Sequence, residues 1–268
     1  MVKLRYFSDL HLEFIKPNKI KKFIRAIPQG LNEICILAGD IGNPYKPNYD
    51  IFMNFISENF KKAFVIVGNH EYYNKTKTIK ETNDFLHEYF TKFSNISFLN
   101  NNYEIYENYC FIGTTLWSQI TDPVYEINDV HNIPNFDYIQ YNGLNKICID
   151  FLESILQNNV VGNIDSKKYI VITHHVPSYS LIDVKYKTIE MTPYNQWFYC
   201  DMNDFIEKNK DKIECWIYGH THTPSNSTMT INKIPFLCNP IGYPNENKIK
   251  DFNKSIMINA HGIPNLYT

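Results

Sequence analysis

Five short apolar runs in this chain each end in a side chain able to bind a metal ion, and that repetition restricts the fold more than any single motif does. Leu4–Phe7 leads into Asp9 and His11, and Ile34–Ala38 into Asp40. Ala63–Val67 leads into Asn69 and His70, Tyr169–Thr173 into His174, and Cys215–Tyr218 into His220 and His222. Runs of four or five apolar residues bounded by turn residues read as strands buried on both faces. In an open α/β sheet, ligands gather at the carboxyl ends of such strands. The seven oxygen and nitrogen donors Asp9, His11, Asp40, Asn69, His174, His220 and His222 are therefore expected to meet at one sheet edge, although they are scattered over most of the chain.

Asp40 is the candidate for a carboxylate shared by two cations. It follows Leu37-Ala38-Gly39 and precedes the turn Ile41-Gly42-Asn43-Pro44. Asp9 and His11 are two apart, so in extended backbone they point to the same side. Asp-x-His is also short and common, and a turn with an incidental Asp and His is the alternative for that pair taken alone. Gly68 is expected to allow a turn that a Cβ would resist. Beside it, Asn69 offers a carbonyl oxygen and His70 an imidazole for a leaving group.

Between the runs, helical periodicity is expected at Ile20 to Ile27, at residues 49–60 and 76–92, and from Leu144 to Leu156. Ile96 to Trp117 suggests short strands that begin a second sheet, and Met229 to Leu237 a closing hairpin. Residues 118–141 and 176–199 read as loop insertions. The second of these carries Tyr179, Tyr186, Tyr194, Trp197, Phe198 and Tyr199, an aromatic cluster that serves packing or stacks on an aryl or base group of a substrate. His87, His131 and His261 match no motif and are expected on the surface or in the core.

The chain has 268 residues, enough for one substantial α/β domain with insertions, and no linker interrupts it. A composition of 44% hydrophobic and 20% charged residues is that of a globular protein, and a formal net charge of -2 supplies no whole-molecule attraction to nucleic acid or anionic lipid. No run approaches the length of a membrane span, and the N-terminus lacks the pattern of a signal peptide. Six cysteines, none spaced as C-x-x-C, fit a reduced compartment, with Cys35 and Cys215 as inert small hydrophobes. A cytoplasmic protein without a membrane partner is expected.

In the order Asp9-Leu10-His11, Gly39-Asp40, Gly68-Asn69-His70-Glu71, His174 and Gly219-His220-Thr221-His222, the motifs resemble those of the calcineurin-like metallophosphoesterase superfamily. The resemblance implies a four-layer α/β/β/α sandwich, two mixed sheets flanked by helices. It also implies a ligand partition in which Asp9, His11, Asp40 and His222 hold one divalent ion, and Asp40, Asn69, His174 and His220 the other. It favours His174 over His175 and gives His70 the role of donating a proton to the departing oxygen or neutralising phosphoryl charge. Water activated between the two ions would attack the phosphorus in line. Donors without thiolate suit Mn, Fe, Zn or Ni, and Mn²⁺ is taken as the activating ion.

One departure narrows the substrate. The protein Ser/Thr phosphatases of the superfamily continue Gly-Asp with an Asp-Arg-Gly element, whereas Asp40 is followed by Ile41-Gly42-Asn43-Pro44, which puts protein phosphatase activity in doubt. Thr114-Thr115-Leu116-Trp117 and Asn239-Pro240-Ile241-Gly242-Tyr243 are more similar to small single-domain phosphoesterases. The expectation is a metal-dependent hydrolase of a small phosphodiester or phosphomonoester, such as a nucleotide. The alternatives are a nuclease with a basic groove beside the metals and a non-catalytic metal-binding scaffold.

Overall fold

Strict alternation of two buried faces explains why the strand sequences are apolar throughout. In the computed structural model, which describes residues 2–124, 127–157, 169–224, 229–246 and 250–258, Leu4, Tyr6, Ile34, Ile36, Phe64 and Ile66 point to one side of a first sheet. Phe7, Cys35, Leu37, Ala63 and Val65 point to the other. Neither side meets water, so the runs lack the polar positions that mark a half-exposed strand, save for Arg5, which is buried in an ion pair with Glu33.

The first sheet has five strands in the order β11-β1-β2-β3-β4. They are β1 (Val2–Phe7), β2 (Gly30–Ala38), β3 (Phe60–Ile66), β4 (Ile96–Phe98) and β11 (Ser255–Ile258). β1 to β4 run parallel, and β11 lies antiparallel to β1 in the register Val2 opposite Ile258. The second sheet has six strands in the order β5-β6-β7-β8-β10-β9. These are β5 (Asn102–Tyr106), β6 (Tyr109–Thr114), β7 (Tyr169–Thr173), β8 (Ile213–Tyr218), β9 (Thr230–Ile231) and β10 (Ile234–Cys238). β6, β7, β8 and β10 are parallel, with antiparallel β5 and β9 at the edges. Both sheets are mixed, as expected from the motifs.

The inner faces pack on each other through Phe64, Ile66, Phe111, Ile170, Ile172 and Ile217, with Phe64 stacked on Phe111 at 4.1 Å between ring centroids and 16° between planes. Helices cover the outer faces. α1 (Ile20–Ile24), α2 (Pro47–Asn59) and α3 (Ile79–Phe90) lie against the first sheet; α5 (Tyr138–Gln157) and α7 (Asn203–Asn209) lie against the second. α3 begins with a capping box in which Thr78 and Glu81 satisfy each other's backbone N–H. Two short helices, α4 (Asn128–Asn132) and α6 (Thr192–Asn195), sit within the two insertions.

Four elements differ from the sequence expectation. α5 starts at Tyr138, six positions ahead of Leu144 and inside the segment read as loop. α1 stops at Ile24, where the hydrogen bonds tighten to Ala26 N–H on the Phe23 carbonyl and Ile27 N–H on that of Ile24 ahead of Pro28. α7 and β11 carried no periodic signal, since each is too short to show one. His261 lies outside the described residues, His87 packs edge-on against Phe98 at 5.0 Å, and His131 is exposed. All six cysteines are free and buried, and among the described residues no helix is long and apolar enough to cross a membrane.

The stacked pair at the centre is the most sensitive point of this packing. Phe111→Ala should lower stability by about 3–5 kcal/mol, read as a lower urea midpoint, with Phe64→Ala less than additive to it because the two rings share one contact.

Candidate metal centre

Every strand end singled out in the sequence arrives at the same place. Parallel β1, β2 and β3 deliver Asp9, His11, Asp40, Asn69 and His70 from one sheet, while β7 and β8 deliver His174, His220 and His222 from the other. Backbone hydrogen bonds join the two sheets there. Ser8 N–H donates to the Asn239 carbonyl and Gly242 N–H to that of Asp9, while Asp9 N–H donates to that of Gly39 within the first sheet's own loops. Gly219 is held so close to this junction that a Cβ would lie 2.8 Å from Ser8 Cβ and 2.9 Å from the Ala38 carbonyl oxygen.

The donors form two adjoining groups, Asp9, His11 and His222 on one side and Asp40, His174 and His220 on the other, the chosen atoms in each group lying within 4.8 Å of one another. In the first, His222 Nε2 is 3.6 Å from Asp9 Oδ1 and 2.9 Å from His11 Nε2. In the second, His174 Nε2 is 3.3 Å from Asp40 Oδ1, 3.2 Å from Asn69 Oδ1 and 3.1 Å from His220 Nδ1. Asp40 spans the two, since its Oδ2 lies 3.9 Å from His11 Nε2. Imidazole nitrogens that face one another and a carboxylate across about 3 Å would compete for protons. A divalent cation accepts all of those lone pairs at once, so the donor set fits metal.

The backbone at these positions is strained. Asp9, His11, Asp40 and His220 all have positive φ, at 53°, 48°, 54° and 69°. Left-handed backbone costs a residue other than glycine about 1–2 kcal/mol, and such costs persist where the surrounding structure enforces them for function. Gly68 differs from its sequence reading. Its φ is not in the left-handed region, and what excludes a side chain is space, because a Cβ would run into Asp40 Oδ1 and His174 Nε2.

A further layer aims the donors. His174 Nδ1 faces the Ala38 carbonyl at 3.0 Å, which leaves Nε2 for the site. The Asn69 amide donates to Asp129 Oδ1 at 2.7 Å and to Tyr73 Oη at 2.9 Å, so its oxygen points inward. Glu71 is fully buried and accepts from the backbone N–H groups of Asp40 at 3.1 Å, Ile41 at 2.7 Å and Gly68 at 2.8 Å, tying the loops after β2 and β3 together. Glu71 stands last in a quoted motif, but nothing in sequence assigned it this task. Asp129, Glu13, Tyr243 and Glu246 were also missed. Their one available signal is proximity to a motif, as with Tyr243 at the end of Asn239-Pro240-Ile241-Gly242-Tyr243.

The side chains alone set an uneven electrostatic field. Burial pushes the Asp40 carboxyl upward, but His174 and His70 outweigh it and hold the group well below the usual carboxylate range. Burial and the nearby Asp40 charge raise Glu71 to about 7. For His70, burial disfavours the charged form, yet Asp40 and the hydrogen bond to Glu13 prevail and raise it to about 9. His70 Nδ1 lies 3.0 Å from Glu13 Oε1, and its Nε2 lies 3.2 Å from Tyr243 Oη and 3.9 Å from Asp40 Oδ2. The next residue after His174 behaves in the opposite way. His175 bonds Tyr141 Oη at 2.9 Å and the Thr115 carbonyl at 3.2 Å, and burial together with His174 pushes it down to about 3. It is a satisfied core residue, and His174 faces the site.

The family model of the calcineurin-like phosphoesterases matches residues 3–224. The chain belongs to that family. This calcineurin-like phosphoesterase is thus a metal-dependent enzyme of phosphoester hydrolysis, and the match contains every donor described above. It is 36% identical over 269 residues to an uncharacterized protein of Acanthamoeba polyphaga mimivirus, covering 91% of this chain and 92% of that one. Among solved structures it is similar in fold to the phosphopantetheinyl hydrolase of Mycobacterium tuberculosis, with a TM-score of 0.67, 15% identity and 90% of each chain covered.

Asp129 gives the clearest test of the supporting layer. Asp129→Ala should leave the fold intact and weaken divalent-metal affinity by about 10–100-fold, measured by calorimetric titration of the metal-free protein.

Proposed function

We propose that this phosphoesterase hydrolyses a small phosphodiester or phosphomonoester at a two-metal site. Asp9, His11, Asp40 and His222 would hold one ion, and Asp40, Asn69, His174 and His220 the other, with Mn²⁺ as the activating metal. The observation that carries this reading is the position of Asp40, whose two oxygens face His11 at 3.9 Å and His174 at 3.3 Å in separate donor groups. Such a pair supplies activation of water at neutral pH and neutralisation of phosphoryl charge.

The remaining work falls to His70. It is buried, its Nδ1 is hydrogen-bonded to Glu13, and its Nε2 faces both Asp40 and Tyr243, so it can hold a proton at the edge of the site. Delivery of that proton to the departing oxygen gives His70 the part of general acid. A single domain over residues 1–268 is part of the proposal, supported by the pairing of β11 near the C-terminus with β1. The nuclease alternative needs a basic groove, and no Lys or Arg lines the adjoining cavity among the described residues.

Purified protein loaded with Mn²⁺ should hydrolyse bis-p-nitrophenyl phosphate or p-nitrophenyl phosphate. Asp40→Asn and His220→Ala should lose turnover, and His70→Gln should reduce kcat by about 10²–10⁴. Rates in Asp40→Asn equal to wild type would overturn the reading.

A further inference from the structure

The donor groups form only one wall of a larger cavity. A volume of about 410 Å³ opens over Asp40, Asn69, His70, His220 and His222 and continues beneath the second insertion, within the usual size of a small-molecule site. There the lining changes from nitrogen and oxygen donors to Ile182, Tyr186, Met191, Tyr194 and Phe198. This annex is continuous with the reacting centre, since the Phe198 ring lies 4.8 Å from the His220 ring at 44°.

Three observations argue that the annex belongs to the substrate rather than to the core. First, its side chains keep accessible surface, although Phe198 also packs against the core. Tyr186 is 37% exposed, and Met191, Tyr194 and Phe198 are half-buried, whereas Trp197 between them is buried against Tyr141. Second, Trp197 lines the same cavity and its buried indole N–H has no hydrogen-bond partner. A buried donor left unmade is costly, and an acceptor on a bound molecule would satisfy it. Third, the charged side chains on the described lining besides the metal donors and His70 are Asp129 and Glu246, and no Lys or Arg is among them. The two acids are bonded to Asn69 and His222 beside the donors, and the described lining offers no cationic partner to a second anionic group.

From these we infer that the substrate is a phosphoester whose organic part carries a planar aromatic ring and no further negative charge, the ring lying against Phe198 and Tyr194. A polyphosphate tail or a nucleic-acid strand would bring anionic groups to an apolar lining without Lys or Arg. An uncharged ring brings the apolar surface that the annex lacks a partner for. The inference rests on the proposed hydrolysis at the adjoining metal site, which fixes where the phosphoryl group sits.

Three phosphonates that differ only in the organic group separate the two readings when titrated calorimetrically into the Mn²⁺-loaded protein. Phenylphosphonate should bind at least about tenfold more tightly than methylphosphonate, the size of one aromatic stacking contact. A 4-carboxyphenylphosphonate should lose most of that gain. In Phe198→Ala and in Tyr194→Ala the phenyl-to-methyl ratio should fall towards one. Equal affinities for phenyl and methyl in the wild type, or a ratio that survives both substitutions, would overturn the aromatic annex. Undiminished binding of the carboxyphenyl compound would overturn its selectivity for an uncharged group. Because the readout is binding, a protein that prefers phenylphosphonate but turns over no nitrophenyl ester would refute the hydrolytic reading and leave the annex standing, while the reverse result would do the opposite.

Discussion

The constraint on which the structure depends is a single carboxylate, Asp40, taken out of water and surrounded by imidazoles from both sheets. An ionised carboxylate in such a place is tolerated only when its charge is balanced at close range. The balance comes from His11 and His70 on the loops after β1 and β3, and from His174 after β7 in the opposite sheet. That requirement ties the two sheets together at one end. The inner-face packing of Phe64 on Phe111 sets how far apart the sheets stand, and the Asp40 cluster sets how their ends align.

The loops around Asp40 are held against their own preferences. Positive φ at Asp9, His11, Asp40 and His220 carries a cost that ordinary turns avoid by using glycine. Glu71 compensates in part, because its carboxylate collects three backbone N–H groups that would otherwise be buried without partners. Its own burial beside Asp40 disfavours its charge, so the loop arrangement stores two carboxylates near each other. A cation held by Asp40 would relieve both the repulsion between the carboxylates and the crowding of imidazole nitrogens, so that metal binding would stabilise the conformation that creates the site.

The strands and their terminal donors were legible because burial on both faces leaves a continuous apolar run, and a polar residue directly after it needs a reason. Asp40, His174 and the pair His220 and His222 stand out because the pattern recurs, and the choice of His174 over His175 came from the family resemblance. The supporting groups were not legible. Asp129 lies on α4 within an irregular insertion, and only the fold brings it to Asn69, sixty positions earlier in the chain. Glu13 looks like a surface acid two residues beyond His11 until His70 is seen to share it. Gly68 was recognised as necessary for the wrong reason, since conformational freedom can be guessed from sequence but the approach of His174 cannot.

The aromatic segment 176–199 stood open between packing and stacking on a substrate, and its residues differ in burial. Trp197, buried against Tyr141, forms the floor of the cavity, while Tyr186, Tyr194 and Phe198 line it as partly exposed rings. Sequence spacing could not make that division, because the segment has no regular period from which to assign faces. The division follows from β7: Val176 and Tyr199 form an isolated bridge just beyond its end, and the Phe198 carbonyl accepts from Val176 N–H. Phe198 stands beside the His220 ring, and Trp197, in the turn just before it, stays buried. The strand end that directs His174 into the donor cluster thus also places an aromatic ring at the border of that cluster.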